Sequence, residues 1–191
     1  MYFFTGDEHF SHKNILKYCG RPFPTIEDHD EEIIKRHNEV VKKNDIVVHS
    51  GDFTMKSSFK EVSEYYINRL NGTHIFLKGS HDKWLNQSKS HEIWEKTIYG
   101  QHIVVCHYAM LVWPRSHYGS WQLFGHSHGN LNHPLMGKQH DDGVDNNNFY
   151  PFSLDQIVEI MKNKPNNFNL LKNHGIIIEP LEIIKTQQIS G

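Results

Sequence analysis

Five short apolar runs, rich in β-branched or aromatic residues and each followed by a carboxylate or an imidazole, divide the first 128 residues of this 191-residue chain. They are Tyr2–Thr5, Asp45–His49, His74–Leu77, His102–Cys106 and Trp121–Phe124, lengths that suit buried strands. Helical patterns separate the first three. Over 26–41, Ile33, Ile34, His37, Val40 and Val41 share a face behind a start signal of Pro24, Thr25 and Asp28. Over 58–70, Ser58 and Glu61 form a capping box, Phe59, Val62, Tyr66 and Leu70 point inward, and Asn71-Gly72 is the stop. A third helix over 154–163 starts at Ser153 and Gln156 and ends before Pro165. Strands alternating with helices specify an α/β domain rather than an all-β one. Beyond Pro165 the sequence turns Asn-rich, with one more strand expected at Gly175–Glu179. The chain therefore reads as one domain over 1–165 and a C-terminal extension over 166–191 that ends in a loose tail.

Composition narrows the class. Twenty Lys+Arg against 22 Asp+Glu leave a net charge of −2, too little positive field for an extended nucleic-acid duplex. No apolar run approaches the roughly 20 residues of a membrane span, and the opening MYFFTGDEHF lacks the features of a secretory signal. Cys19 and Cys106 make neither a disulfide framework nor a Cys-rich zinc site. A cytoplasmic protein is the expectation, with its oligomeric state left open. Histidine is the outlier, 16 residues in 191, and it is both the commonest metal ligand and a frequent general acid or base.

Position gives these histidines their meaning. Asp7 and His9 follow the first strand, Asp52 the second, His81 and Asp82 the third, His107 the fourth, and His126 and His128 the fifth. The carboxyl ends of strands are where α/β sheets bind ligands. Buried histidines satisfied one by one would not all fall there. Carboxylate and imidazole without thiolate suit Mn, Fe, Ni or Zn rather than Ca or Mg alone. The set exceeds what one ion needs, and two ions sharing a bridging carboxylate use it naturally, as in phosphatases and nucleases.

Taken in order, D-x-H (Asp7, His9), G-D (Gly51, Asp52), the G-S-H-D of Gly79–Asp82, His107 after a strand, and G-H-x-H (Gly125–His128) resemble the calcineurin-like metallophosphoesterases. The stretch DEHFSHKNILKYCGRPF and the late Gly143–Leu154 segment are similar to a compact subfamily of small bacterial and phage phosphoesterases. The resemblance implies a four-layer αββα sandwich with two facing mixed β-sheets. It implies one divalent ion on Asp7, His9, Asp52 and His128, and a second on Asp52, Ser80, His107 and His126. Mn2+ is the first expectation, with Fe, Ni or Zn as alternatives. His81 would be the general acid, with Asp82 orienting its imidazole. The reaction implied is hydrolysis of a small phosphodiester or phosphomonoester, a nucleotide or cyclic nucleotide, by a hydroxide bridging the two ions. A nuclease on short or single-stranded ends is the second enzymatic reading. Ser80 departs from the family's Asn. It leaves three readings: ligation through a water, a second site that is weak or filled only with substrate, or slowed turnover, the last shading into an impaired phosphate- or nucleotide-binding protein.

His12 and Asn14 follow the first motif and suit either phosphate contact or capping of the next helix. The aromatic stretch 108–121 holds Arg115 and His117, which would grip a second phosphate beside a stacked base or else pack the loop onto the domain. Asp145 closes the site edge without a catalytic role. Cys106, inside an apolar strand, reads as a buried small hydrophobe.

Overall fold

The structure is a computed structural model that describes residues 1–85, 91–131 and 133–167. It is a mixed α/β sandwich of two four-stranded sheets. The first sheet contains β1 (Tyr2–Thr5), β2 (Ile46–His49), β3 (Thr73–Phe76) and β8 (Phe152–Ser153) in the order β3-β2-β1-β8. β1, β2 and β3 are parallel and β8 is antiparallel to β1. The second sheet contains β4 (Ile93–Ile98), β5 (Gln101–Cys106), β6 (Trp121–Phe124) and β7 (Gln139–Asp141) in sequence order, with only β4 antiparallel. All five expected strands are present, their ends within a residue of the apolar runs. β4, β7 and β8 are additions, as is the one-turn helix α1 (Ile15–Tyr18).

The sheets meet face to face. Phe4 and Val48 of one and Ile103, Val105 and Leu123 of the other share a single apolar core. Period-two alternation then turns Phe3 and Val47 outward, where they meet Val41 at the end of α2 (Ile26–Val40). α2 and α3 (Phe59–Tyr65) cover this outer side with Ile33, Ile34 and Val62 in a second core. Thr25 accepts the amide of Asp28 at 3.1 Å, the expected start of α2. The 58–70 helix is shorter than expected: α3 stops at Tyr65 and a tighter turn over Ile67–Arg69 finishes the segment. α4 (Leu154–Lys162) opens with the Ser153/Gln156 capping box and adds Leu154, Ile157 and Met161 to the core between the sheets. On the outer face of the second sheet, Gln122 donates to the Tyr108 carbonyl at 2.9 Å and accepts the Met110 amide at 3.2 Å, holding the 108–113 segment against it. Among the described residues no helix is long and apolar enough to cross a membrane. The strand expected at Gly175–Glu179 and most of the 166–191 extension lie outside the described residues.

Candidate metal centre

Beyond the strands the chain turns sharply, and the turns lock to one another. The Asp7 amide donates to the Gly51 carbonyl (2.9 Å), that of His9 to Asp52 (3.0 Å), that of Gly125 to His107 (3.2 Å), and that of Val144 to Gly6 (2.9 Å). A parallel bridge between Gly6 and Gly143 brings the carboxyl ends of β1 and β7 together. The ends of both sheets thus converge on one cluster.

Four groups of side chains in the described residues stand close enough to hold a metal ion, each with three ligand atoms within 4.8 Å of one another. One is Asp7, His9 and His128, and another is Asp52, His107 and His126. Asp52 lies between them, its Oδ2 3.7 Å from Nε2 of His9 and 3.4 Å from Nε2 of His107. Both Asp7 oxygens, His9 Nε2 and His107 Nε2 are buried without a hydrogen-bond partner. A buried polar atom left unpaired costs about 1–3 kcal/mol, so these four, shared between the two ligand groups, fit a site built for cations. The electrostatics agree. Burial, then the charges of Asp141 and Asp52, push the Asp7 carboxyl far above the usual range, a penalty that a cation removes. At Asp52 burial alone would raise the pKa, but the His107 imidazole 3.4 Å away and the His81 amide outweigh it and hold the carboxyl below its usual range.

The second ring nitrogens fix the imidazoles. His107 Nδ1 donates to the Ser50 carbonyl at 3.1 Å, and His128 Nδ1 to Asp145 Oδ2 at 2.7 Å. Such partners orient ligating histidines and leave Nε2 bare. Asp145 is held in turn by Arg21, whose Nε and Nη2 reach its two oxygens at 2.8 and 2.7 Å. Arg21 also donates to the Asp7 carbonyl (2.7 Å) and the Glu8 carbonyl (3.0 Å). The sequence placed Asp145 at the site edge but showed neither its bond to His128 nor any role for Arg21. The only signal was that GRPF and GVD belong to the two stretches that carry the resemblance.

Several expectations need correction. Asp82 does not orient His81. Its Oδ2 accepts the amides of Asp52 (2.7 Å) and Gly79 (2.9 Å), and its Oδ1 those of Phe53 (3.0 Å) and Thr54 (3.4 Å) and the Trp84 indole (2.9 Å). It is a buried anchor for the Asp52 turn. The Ser80 hydroxyl donates to both oxygens of Asp52, at 3.3 and 3.1 Å. Arg115 and His117 are remote: the Gly119 carbonyl beside them accepts from Gln101 at the amino end of β5. A parallel β5–β6 pair obliges the connecting loop to return to that end, and buried Trp113, bonded to the Ser120 carbonyl, packs it there. Asn14 occupies the N-cap position of α1 but makes no side-chain cap, and it does not line the site cavity.

That cavity, of about 420 Å3, is lined by His9, His12, Ser80, His81, His126 and His128, among others. The His81 amide donates to Asp52 Oδ1 at 2.8 Å, and its half-exposed ring stands with Nε2 3.9 Å from Oδ2.

No family model matches the chain. Its sequence is 31% identical over 166 residues to the uncharacterized protein MJ1445 of Methanocaldococcus jannaschii, spanning 82% of this chain and 89% of that protein. The protein of unknown function AQ665 from Aquifex aeolicus has the same fold, with a TM-score of 0.64 at 21% identity over 84% of this chain and 98% of that one. A conserved uncharacterized protein of Streptococcus pneumoniae, a predicted phosphoesterase, aligns with a TM-score of 0.36 at 15% identity over 66% of this chain and 62% of its own, too loosely to bear on function.

Proposed function

The chain belongs to the family of the Methanocaldococcus jannaschii protein, a membership that names no activity, and from the geometry of its own site we propose that it is a calcineurin-like, divalent-metal-dependent phosphoesterase. The observation that carries this reading is the pair of ligand groups, one containing Asp52 and the other within its reach at His9, with their buried, unpartnered atoms. Asp7, His9, Asp52 and His128 would hold one ion, and Asp52, His107 and His126 the other. Once bound, the ions supply positive charge opposite the phosphate oxygens and make water acidic enough to be a nucleophile at neutral pH.

The remaining work falls to side chains of the protein. Asp145 and the Ser50 carbonyl keep Nε2 of His128 and His107 aimed inward. Asp82 holds the Asp52 turn. His81, at the cavity wall, is placed to give its proton to the departing alkoxide. A cavity of about 420 Å3 suits a small phosphodiester or phosphomonoester, with a nucleotide or cyclic nucleotide as the preferred class and short single-stranded ends as the larger alternative. One observation favours a slower enzyme or a phosphate-binding protein: the Ser80 hydroxyl is turned onto Asp52. Chelator-stripped protein reloaded with Mn2+ should hydrolyse a chromogenic phosphodiester or phosphomonoester, and Asp52→Asn should abolish it. Mn2+ binding without turnover of either ester would leave the binding-protein reading standing; absence of Mn2+ binding would refute the proposal.

A further inference from the structure

We infer that His12 fixes the tautomer of His9 and, by the same proton, is itself fixed as a neutral N–H donor facing the cavity. This deepens the metal-site reading above and rests on it. The two ring nitrogens of His9 differ. Nε2 is buried without a partner and stands 3.7 Å from Asp52, whereas Nδ1 is 3.0 Å from Nδ1 of His12. A nitrogen that gives its lone pair to a cation carries no proton, so the proton of neutral His9 is on Nδ1. Two facing imidazole nitrogens share a hydrogen bond only when one is protonated and the other bare. His9 therefore donates and His12 accepts, which leaves the proton of neutral His12 on its Nε2.

His128 and His107 use a carboxylate and a carbonyl for the same purpose, the usual partners of a ligating histidine. A histidine in that place adds something they lack, a second nitrogen on the far side of the ring. His12 lines the cavity, and its ring centroid is 5.3 Å from that of His81. Its Nε2 has no hydrogen-bond partner among the described residues, so the N–H is available to a phosphate oxygen of the substrate. His12 is thus a positioning residue for His9 and a substrate donor, joined by one proton order.

Two amides separate these roles. Asparagine puts Oδ1 where histidine has Nδ1, so His12→Asn keeps the acceptor for His9 and loses the distant N–H. Glutamine reaches the Nε2 position, so His12→Gln keeps the donor and loses the acceptor. Calorimetry with Mn2+ and then with inorganic phosphate on the Mn2+-loaded protein reads both. His12→Asn should retain Mn2+ affinity and bind phosphate about 10-fold more weakly, the loss of one charge-assisted hydrogen bond. His12→Gln should bind Mn2+ about 10–100-fold more weakly, and His12→Ala should lose in both. Coincident thermal melts of the metal-free variants separate these effects from misfolding. Unchanged Mn2+ affinity in the Gln and Ala variants, or identical behaviour of Asn and Gln, overturns the inference. A wild type that binds Mn2+ but hydrolyses no phosphoester fails the functional reading alone, because the Mn2+ ranking of Asn above Gln needs no turnover.

Discussion

Arg21→Met tests how the site is held. The substitution keeps the apolar stem and removes the guanidinium, whose side chain is 0% exposed. Five contacts go with it: two on the Asp145 carboxylate at 2.8 and 2.7 Å, the Asp7 and Glu8 carbonyls at 2.7 and 3.0 Å, and Nε2 of His29 at 2.7 Å. Breaking a buried ion pair from one side costs about 3–5 kcal/mol, because the surviving charge stays buried and unpaired. The orphaned carbonyls add to this, so the expected loss is at least about 4 kcal/mol, a large share of the 5–15 kcal/mol typical of a domain. Urea unfolding of chelated protein at pH 7 measures it. Arg21→Met combined with Asp145→Leu removes both charges and should be less destabilised than the sum of the single variants, by about 1–3 kcal/mol. Asp145 orients His128, so the Arg21 variant should also bind Mn2+ about 10-fold more weakly. A single-variant loss below about 1 kcal/mol, or strict additivity in the cycle, would refute the idea that Arg21 carries the Asp145 turn.

Ser80→Asn should raise both turnover and Mn2+ occupancy, because the longer amide reaches past Asp52 where the serine hydroxyl bonds it; equal values in the two proteins sink this expectation. Asp82→Asn should cost about 2 kcal/mol or more, since an amide nitrogen then faces backbone donors, with the pH–rate profile keeping its shape. A displaced acid limb at unchanged stability would instead restore Asp82 as the partner of His81. Stability should fall in acid. Burial pushes His37 down to about 4 and His49 and His74 down to about 3, so the unfolded chain binds more protons below the ordinary value near 6.5. Each such histidine then removes about 1.4 kcal/mol per pH unit between its unfolded and folded pKa. Glu8, pushed up to about 7 by burial, opposes them, because its folded form holds a proton that the unfolded one releases above about 4.5. Asp7, Asp82, Asp141 and Asp142, also raised by burial, oppose them too. But burial lowers His9, His12, His29, His126 and His140 as well, and eight histidines against five carboxyls leave a net loss on acidification. A urea midpoint at pH 5 equal to or above that at pH 7 would contradict it.

What was legible in the sequence follows from where the information lies. β1, β2, β5 and β6 sit centrally in their sheets, so most of their residues are buried and apolar and show as short runs. β4 is an edge strand that exposes Glu95 and Lys96, which disguises IWEKTI as a surface segment. β7 is Gln139–Asp141, three polar residues whose strand character comes from pairing with β6, and β8 is two residues long. The candidate ligands were legible because each lies just past the end of a strand. The Arg21–Asp145 pair was not, since 124 residues separate the two and nothing local marks an arginine for burial. Arg115 and His117 follow a ligand strand in the chain, but the parallel β5–β6 crossover carries them to its amino end, so of the two readings of 108–121 the packing one holds.

Backbone conformation supplies what residue identity could not. Asp7 (φ 56°), His9 (53°), Asp52 (56°), His126 (68°) and His128 (48°) are all left-handed, a conformation that costs a non-glycine residue about 1–2 kcal/mol. Five such residues persist only where their surroundings over-determine them. At Asp52 these surroundings are explicit. Its amide is bound by Asp82, and Gly79 lies so close that a Cβ there would stand 2.2 Å from Asp52 Oδ1 and 2.3 Å from Asp52 N. Gly51, at φ +109°, leaves no more room, since its Cβ would meet Gly79 N and His107 Nδ1 at 2.8 Å each. The carboxylate between the two ligand groups is therefore aimed by two glycines and a buried aspartate that hold no metal. A substitution at Gly79 should cost the site more than one at Ser80 beside it, although residue 80 is the one to which the resemblance gives a ligand role.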